Sequence, residues 1–337
     1  MTAPANGLLG PRPAPDAPIR IGFQVWSMAI AWPELMAIGE RIEALGFSSL
    51  FANDHFMPVL GDAAGAVIGP AGPVFDGWMV LAGWAGRTAR LPLGTMVSAV
   101  GYRNIGLTVR MATALDHASA GRAMLGIGAG WHEPEIRAFG YDELPLGDRI
   151  SRLEKAAAVA RGLLDGETVS YDGTWIRAAG MRNEPPPVQA RLPLLIAGNG
   201  EKRALRIVAR FADIWNGEGL PDDYARRNGV LDTWCADVGR DPAAIRRTVG
   251  IPPVMIRSSR AAAVDALTAT LGRYGGGEGQ ARGWAESSPL ADTAEVVAGL
   301  LRGWRAAGAE EVVIDQPSPL DDETIERLAG FARQGRA

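Results

Sequence analysis

IRIGFQVW (Ile19–Trp26), PELMAIGERIEALG (Pro33–Gly46) and SSLFAN (Ser48–Asn53) decide how this chain is read. The first is a short apolar run rich in β-formers. In the second, Pro33 falls where a helix tolerates a missing N–H. Leu35, Ile38, Ile42 and Leu45 then recur at spacings of three and four, and Gly46 ends the turn. The third is again an apolar run of strand length. Together they predict one β-α-β unit, and the unit repeats outward along the chain.

Further strands are predicted at Leu91–Val97, Arg122–Gly128, Leu192–Gly198 and Asp213–Gly217, then near Val249–Ile256 and at Glu311–Asp315. Helical stretches separate them. The one before the last strand carries a stripe of Val296, Val297, Leu300, Leu301 and Trp304, with Asp292 as its expected cap and Glu295 three residues on. Eight short apolar strands alternating with helices favour an α/β fold, a single (β/α)8 TIM barrel with loop insertions. The insertions are a Gly/Pro-rich loop at Pro58–Phe75 and a hairpin within Thr168–Pro187. A glycine-rich stretch at Gly272–Pro289 reads equally as a mobile lid or a floppy insertion. The expected organisation is a disordered leader over residues 1–18 and one barrel domain over 19–337.

Bulk properties narrow the function. The 337 residues carry a formal net charge of −4, which gives no basic surplus for nucleic acid or an anionic membrane. The leader has five prolines and no apolar h-region, so it does not read as a signal peptide. No run reaches the ~18 apolar residues of a membrane span. Cys235 is the single cysteine, which fits a cytoplasmic protein without internal disulfides. The partner expected is a small-molecule substrate.

In such barrels chemistry sits at the carboxyl ends of the strands. Asp54-His55 follows strand two, Tyr102 and Arg103 follow strand three, Gly128–Glu135 (GAGWHEPE) follows strand four, and Gly198–Arg203 (GNGEKR) follows strand five. His55 suits proton transfer near neutrality; a structural Asp-His pair holding a loop explains the dipeptide about as well. His117 reads as a helix-end histidine, and His132 could turn toward a pocket in place of Trp131. Gly198-Asn199-Gly200 before a helix offers N–H groups to an anion, with Lys202 and Arg203 nearby, although a tight turn alone would also need glycine. Gly126–Gly130 fails the dinucleotide fingerprint, since Trp131 stands where its third glycine belongs. Neither H-E-x-x-H, a Cys-His cluster nor G-x-S-x-G is present, so zinc and hydrolase-triad chemistry lack support.

The segments GFSSLFANDHF, GTMVSAVGYRN, LDHASAGRAMLGIGAGWHEPEIRAFGY and LLIAGNGEKRALRIVARFADIWN, in this order, resemble the luciferase-like monooxygenase superfamily, specifically its branch that binds the deazaflavin coenzyme F420. The resemblance runs from about Ile19 to Ala329. It implies that Asp54 and His55 face the redox ring as catalytic residues. It implies a non-prolyl cis peptide at Met96–Val97 backing the ring, Gly128, Ala129, Gly130 and Trp131 under the polyol chain, and Gly198, Asn199 and Gly200 at the phosphate. A homodimer is expected on the same ground alone. Sugar-phosphate dehydrogenase members carry a glutamate after the Gly-x-Gly turn and a tryptophan past the Asp-His pair; Trp131 and Val59 stand there, which speaks against a sugar phosphate. Deazaflavin-dependent hydride transfer to or from a small organic molecule is the first reading. An FMN-dependent monooxygenase is the second, and a barrel that binds a flavin without turnover is the third, which the Asp-His pair disfavours.

Overall fold

The strand-helix alternation closes on itself in the computed structural model, which describes residues 17–59, 72–275 and 277–333. Eight parallel strands form the barrel among these residues: β1 (Arg20–Val25), β2 (Leu50–Ala52), β3 (Leu93–Thr95), β4 (Ala123–Gly128), β5 (Leu194–Ala197), β6 (Ile214–Glu218), β7 (Arg246–Ile251) and β8 (Glu311–Gln316). Closure comes from β1, which pairs with β8 from Arg20↔Glu311 to Val25↔Gln316 and with β2 on its other side. The expected α/β TIM barrel is therefore present. Nearly all of the predicted leader, residues 1–16, lies outside the described residues, as do residues 60–71 of the Pro58–Phe75 loop.

Strand alternation builds two apolar layers. Phe51, Met124, Leu195, Ile214 and Val313 point into the barrel and pack on one another. Their neighbours Leu50, Ala52, Ala123, Leu125, Leu194, Ile196, Val312 and Ile314 face the surrounding helices. Burial on both faces explains why these strands read as continuous apolar runs. The inner layer fills the barrel's middle, so open space is confined to its ends.

Several local expectations are corrected. The third strand does not run unbroken to Val97: it stops at Thr95 and resumes at Ser98–Ala99, with a cis Met96–Val97 peptide between. The seventh ends at Ile251, and Met255–Arg257 instead pairs with Ala291–Thr293 in a separate two-stranded ladder. That ladder holds Asp292 opposite Ile256, so the Ala294–Ala306 helix is capped by Thr293, whose hydroxyl accepts from Val296 N. Its buried face is Val297, Leu301 and Trp304, and Val296 is exposed. The hairpin forms from Val169–Asp172 and Arg177–Met181.

The Gly272–Pro289 stretch is not a floppy insertion. It contains a helix, Glu278–Ser287, whose Ala281 and Ala285 are buried in a small cluster with Leu267 and Leu271 of the preceding helix, Arg260–Gly272. Trp284 on this helix stacks on Trp26 at the end of β1, centroids 6.1 Å apart and planes 16° from parallel.

Candidate active site

A cavity of about 690 Å³ opens at the carboxyl ends of the strands. That size suits a small-molecule or cofactor site, roughly 300–1,000 Å³. Its wall takes Gln24 and Trp26 from β1, Asn53 and His55 after β2, Met96, Val97 and Ala99 from the split third strand, and Gly128–Trp131 after β4. Ala197, Gly198, Asn216, Glu218, Gly250, Ile251, Asp315 and Trp284 close the circuit.

His55 is fixed by Glu135, which is fully buried on the short Glu133–Ala138 helix. The His55 Nδ1–Glu135 Oε2 distance is 2.8 Å. Met57 N donates to Glu135 Oε1 at 3.0 Å, Phe56 N donates to the same oxygen, and the Tyr102 hydroxyl donates to Oε2. Burial by itself would raise the pKa of Glu135, but the His55 ring, Tyr102 and the Phe56 N–H outweigh it and hold the pKa at about 2. At neutral pH Glu135 is thus a carboxylate that can only accept. The proton on the shared side therefore sits on His55 Nδ1, which leaves Nε2 for the cavity. Tyr102 lines the same wall and its hydroxyl is held protonated, by burial first and then by the Glu135 charge.

Asp54 is corrected as a residue facing the ring. Neighbours along an extended chain point to opposite sides: Asn53 and His55 line the cavity, and Asp54 does not. It is 1% exposed and pairs with Arg103, Nη1 to Oδ2 at 2.5 Å and Nη2 to Oδ1 at 3.0 Å. Arg103 also reaches Asp76 at 3.2 Å, the cap of the Gly77–Ala85 helix. Asp54 thereby anchors the turn that aims His55, and of the two readings of the dipeptide the structural one fits this residue.

The expected ring-backing residues do come together. Met96 and Val97 flank the cis peptide, and Gly128, Ala129, Gly130 and Trp131 sweep beside them. A Cβ on Gly128 would lie 2.7 Å from Val97 Cγ2, so the close approach of these two strands requires glycine. Gly130 has φ +80°, a turn conformation that glycine adopts without strain. Trp131 is half exposed at the rim, and His132 is buried behind it, its pKa lowered by burial and then by His55. His117 Nε2–H donates to Pro186 O, 2.9 Å away, as a helix-end histidine.

Of the three residues expected at a phosphate, Gly198 lines the cavity; Asn199 and Gly200 do not. Asn199 is engaged by Glu218, donating to its carboxylate and accepting from its backbone N, each at 2.9 Å. Helix Ala204–Phe211 starts only after a turn at residues 201–203, and Arg203 is directed at Gly147 O and Ser151 Oγ.

Sequence reading missed five polar or aromatic groups of this site. Glu135 was within a quoted motif but had no role, because its partner lies 80 residues away. Asp315, Glu218 and Trp26 sit within or just past runs that read only as strands. Trp284 is carried on the helix that was read as a loop. Asp315 is the most unusual of them. Burial pushes its pKa up to about 7, with Trp26, His55 and Glu218 as smaller influences.

With this fold and site, the sequence profile of the luciferase-like monooxygenase family matches residues 17–318. The chain belongs to that family. A protein of Mycobacterium bovis is 30% identical over 234 residues, which cover 66% of this chain and 81% of the relative. A phthiodiolone/phenolphthiodiolone dimycocerosates ketoreductase of a Mycobacterium species is 35% identical over 179 residues, 51% of this chain and 46% of the ketoreductase. The match thus spans about half the ketoreductase's length. Among solved structures, an F420-dependent secondary alcohol dehydrogenase in complex with an F420-acetone adduct superposes with a TM-score of 0.77 over 95% of this chain and all of the other, at 15% identity. A monooxygenase from Streptomyces bottropensis gives 0.74 over 95% and 100%, at 16% identity. At such identities these likenesses speak for the barrel. Among the described residues no helix is long and apolar enough to cross a membrane, and no group of acidic, histidine or cysteine side chains is arranged to hold a metal.

Proposed function

We propose that this chain is a coenzyme F420-dependent oxidoreductase that moves a hydride between the deazaflavin and a small organic substrate. The observation that carries the reading is the His55–Glu135 pair. It presents one proton-exchanging nitrogen to the cavity, beside the cis Met96–Val97 bulge. A passive binding barrel needs no such group. The similarity to a ketoreductase and the F420-dependent dehydrogenase among the structural neighbours support the same direction.

The residues present fit a flat ring carrying a polyol. Gly128, Gly130, Gly198 and Gly250 leave the wall without side chains, and on Gly128 a Cβ would intrude on Val97. Met96, Val97, Gly128, Ala129, Gly130 and Trp131 would hold the ring and polyol. Gly198 would meet the phosphate, with Asn199 and Gly200 shaping the turn behind it. A bound deazaflavin supplies two-electron hydride chemistry with little reactivity toward oxygen. His55 stabilises charge or exchanges a proton at the substrate, Glu135 keeps its ring oriented, and Asp54 braces the turn through Arg103.

The test is run with and without oxygen: reduced coenzyme F420, the protein and a panel of ketones and other carbonyl compounds, followed by the return of oxidised-cofactor fluorescence. Oxidation that needs a carbonyl compound and not oxygen is the expected result. Oxidation that needs oxygen, or that proceeds with reduced FMN in place of the deazaflavin, would replace this reading with the FMN-dependent monooxygenase.

A further inference from the structure

We propose that Asp315, at the carboxyl end of β8, is a second proton-exchanging group of the cavity, serving a neutral carbonyl or alcohol substrate from a wall that His55 does not occupy. In turnover this role rests on the hydride-transfer reading above; the protonation itself does not.

The geometry is built for a neutral acid. Asp315 lines the cavity, and its Oδ1 accepts from Trp26 Nε1 at 2.7 Å. Its second oxygen makes no hydrogen bond with a described residue. Among the described residues no arginine or lysine lines the cavity to hold it as an anion. β1 brings the aligned Gln24 and the Trp26 indole. The turn after β2 brings His55, β6 brings the acidic Glu218, and Tyr274 after the Arg260–Gly272 helix lies near enough for the Asp315 charge to raise its pKa. Tyr274 is held by Ser318, its hydroxyl donating to Ser318 O and accepting from Ser318 N. One imidazole and one indole N–H favour the carboxylate; burial and Glu218 oppose it. A carboxyl in this setting keeps a protonated fraction near neutrality and has a proton to give.

The chemical consequence is specific. As hydride from a deazaflavin-class reductant reaches a carbonyl carbon, the oxygen takes up negative charge. The Asp315 O–H bond breaks, a new O–H bond forms on that oxygen, and the carboxylate left behind accepts the Trp26 N–H. Alcohol oxidation runs the same transfer backwards. The acidic Glu218, on a wall with no lysine or arginine among the described residues, also disfavours anionic substrates such as sugar phosphates.

The experiment is a carbon NMR titration of the full chain, free of cofactor, labelled at aspartate carboxyl carbons, from about pH 5 to 9. One resonance is expected to move with a midpoint near neutrality and to vanish in Asp315→Asn. Trp26→Phe and His55→Ala should move that midpoint up, and Glu218→Gln should move it down. An Asp315 resonance already at its ionised position across the range would overturn the proposal. With reduced F420 and the carbonyl panel, Asp315→Asn should lower kcat by about 100-fold and remove its alkaline limb, with F420 affinity nearly unchanged. An unaltered kcat would overturn the catalytic role. Failure of the wild-type chain to bind F420 would remove the cofactor reading instead and leave the titration result intact.

Discussion

His55 and Glu135 lie 80 residues apart in sequence and 2.8 Å apart in space, joined Nδ1 to Oε2. The contact ties the end of β2 to the helix after β4 and sets which imidazole nitrogen faces the cavity. Glu135→Gln keeps the shape but removes the charge and offers a second donor where only acceptors are needed. We expect kcat to fall by roughly 10- to 100-fold, with a smaller change in cofactor affinity. Steady-state kinetics with a separate cofactor titration would check it; equal loss in both would mean that the pair shapes the pocket and does not orient a proton.

Glu135 also predicts how the fold responds to acid. Its pKa is about 2 in the folded protein against an ordinary 4.5. A depressed carboxylate contributes stability that is present above the ordinary value and is lost as pH falls toward the folded one. Urea midpoints should therefore drop between about pH 4.5 and 2, and drop less steeply in Glu135→Gln. Parallel curves for the two proteins would contradict the assignment.

The Asp54–Arg103 pair supports the site from behind. Asp54→Asn leaves a largely buried guanidinium short of a counter-charge, with only Asp76 remaining at 3.2 Å. Removing one member of a buried pair costs ~3 kcal/mol or more. Denaturant unfolding should show that loss, while the pH profile of kcat keeps its shape. A changed pH profile would return Asp54 to the chemistry.

At Gly126 in β4 an added Cβ would meet Thr95 O at 2.0 Å, a backbone atom that cannot swing aside. Gly126→Ala should therefore cost more than the ~1–3 kcal/mol of ordinary overpacking. Gly140→Ala is a control on space, since nothing lies within 4 Å there, although its φ of +70° carries some strain. Thermal unfolding of both variants would rank them, with Gly126→Ala expected to be much the worse.

The barrel was legible because its signals are local. Pro33, the Leu35–Ile38–Ile42 spacing and the continuous apolar strands each predict their element without knowledge of the rest. The residues whose expected roles changed did so for local reasons too: Asp54 sits one residue off the inward phase, and Asp292 is committed to a strand ladder before it can cap a helix. Glu135 and Asp315 were not legible as functional. Their character comes from burial and from partners brought by distant strands, which periodicity does not record. Trp284 was hidden because glycines on both sides of a short helix read as a loop.

The most direct measurement is a parallel titration of the purified chain with oxidised coenzyme F420 and with FMN, followed by cofactor fluorescence and tryptophan quenching. Trp131 at the cavity rim and Trp26 and Trp284 in its wall place three reporters at the site. The account predicts saturable binding of F420 at about micromolar concentration, tighter than FMN by tenfold or more, a gap of ~1.4 kcal/mol. Tighter binding of FMN, or of neither, would contradict it.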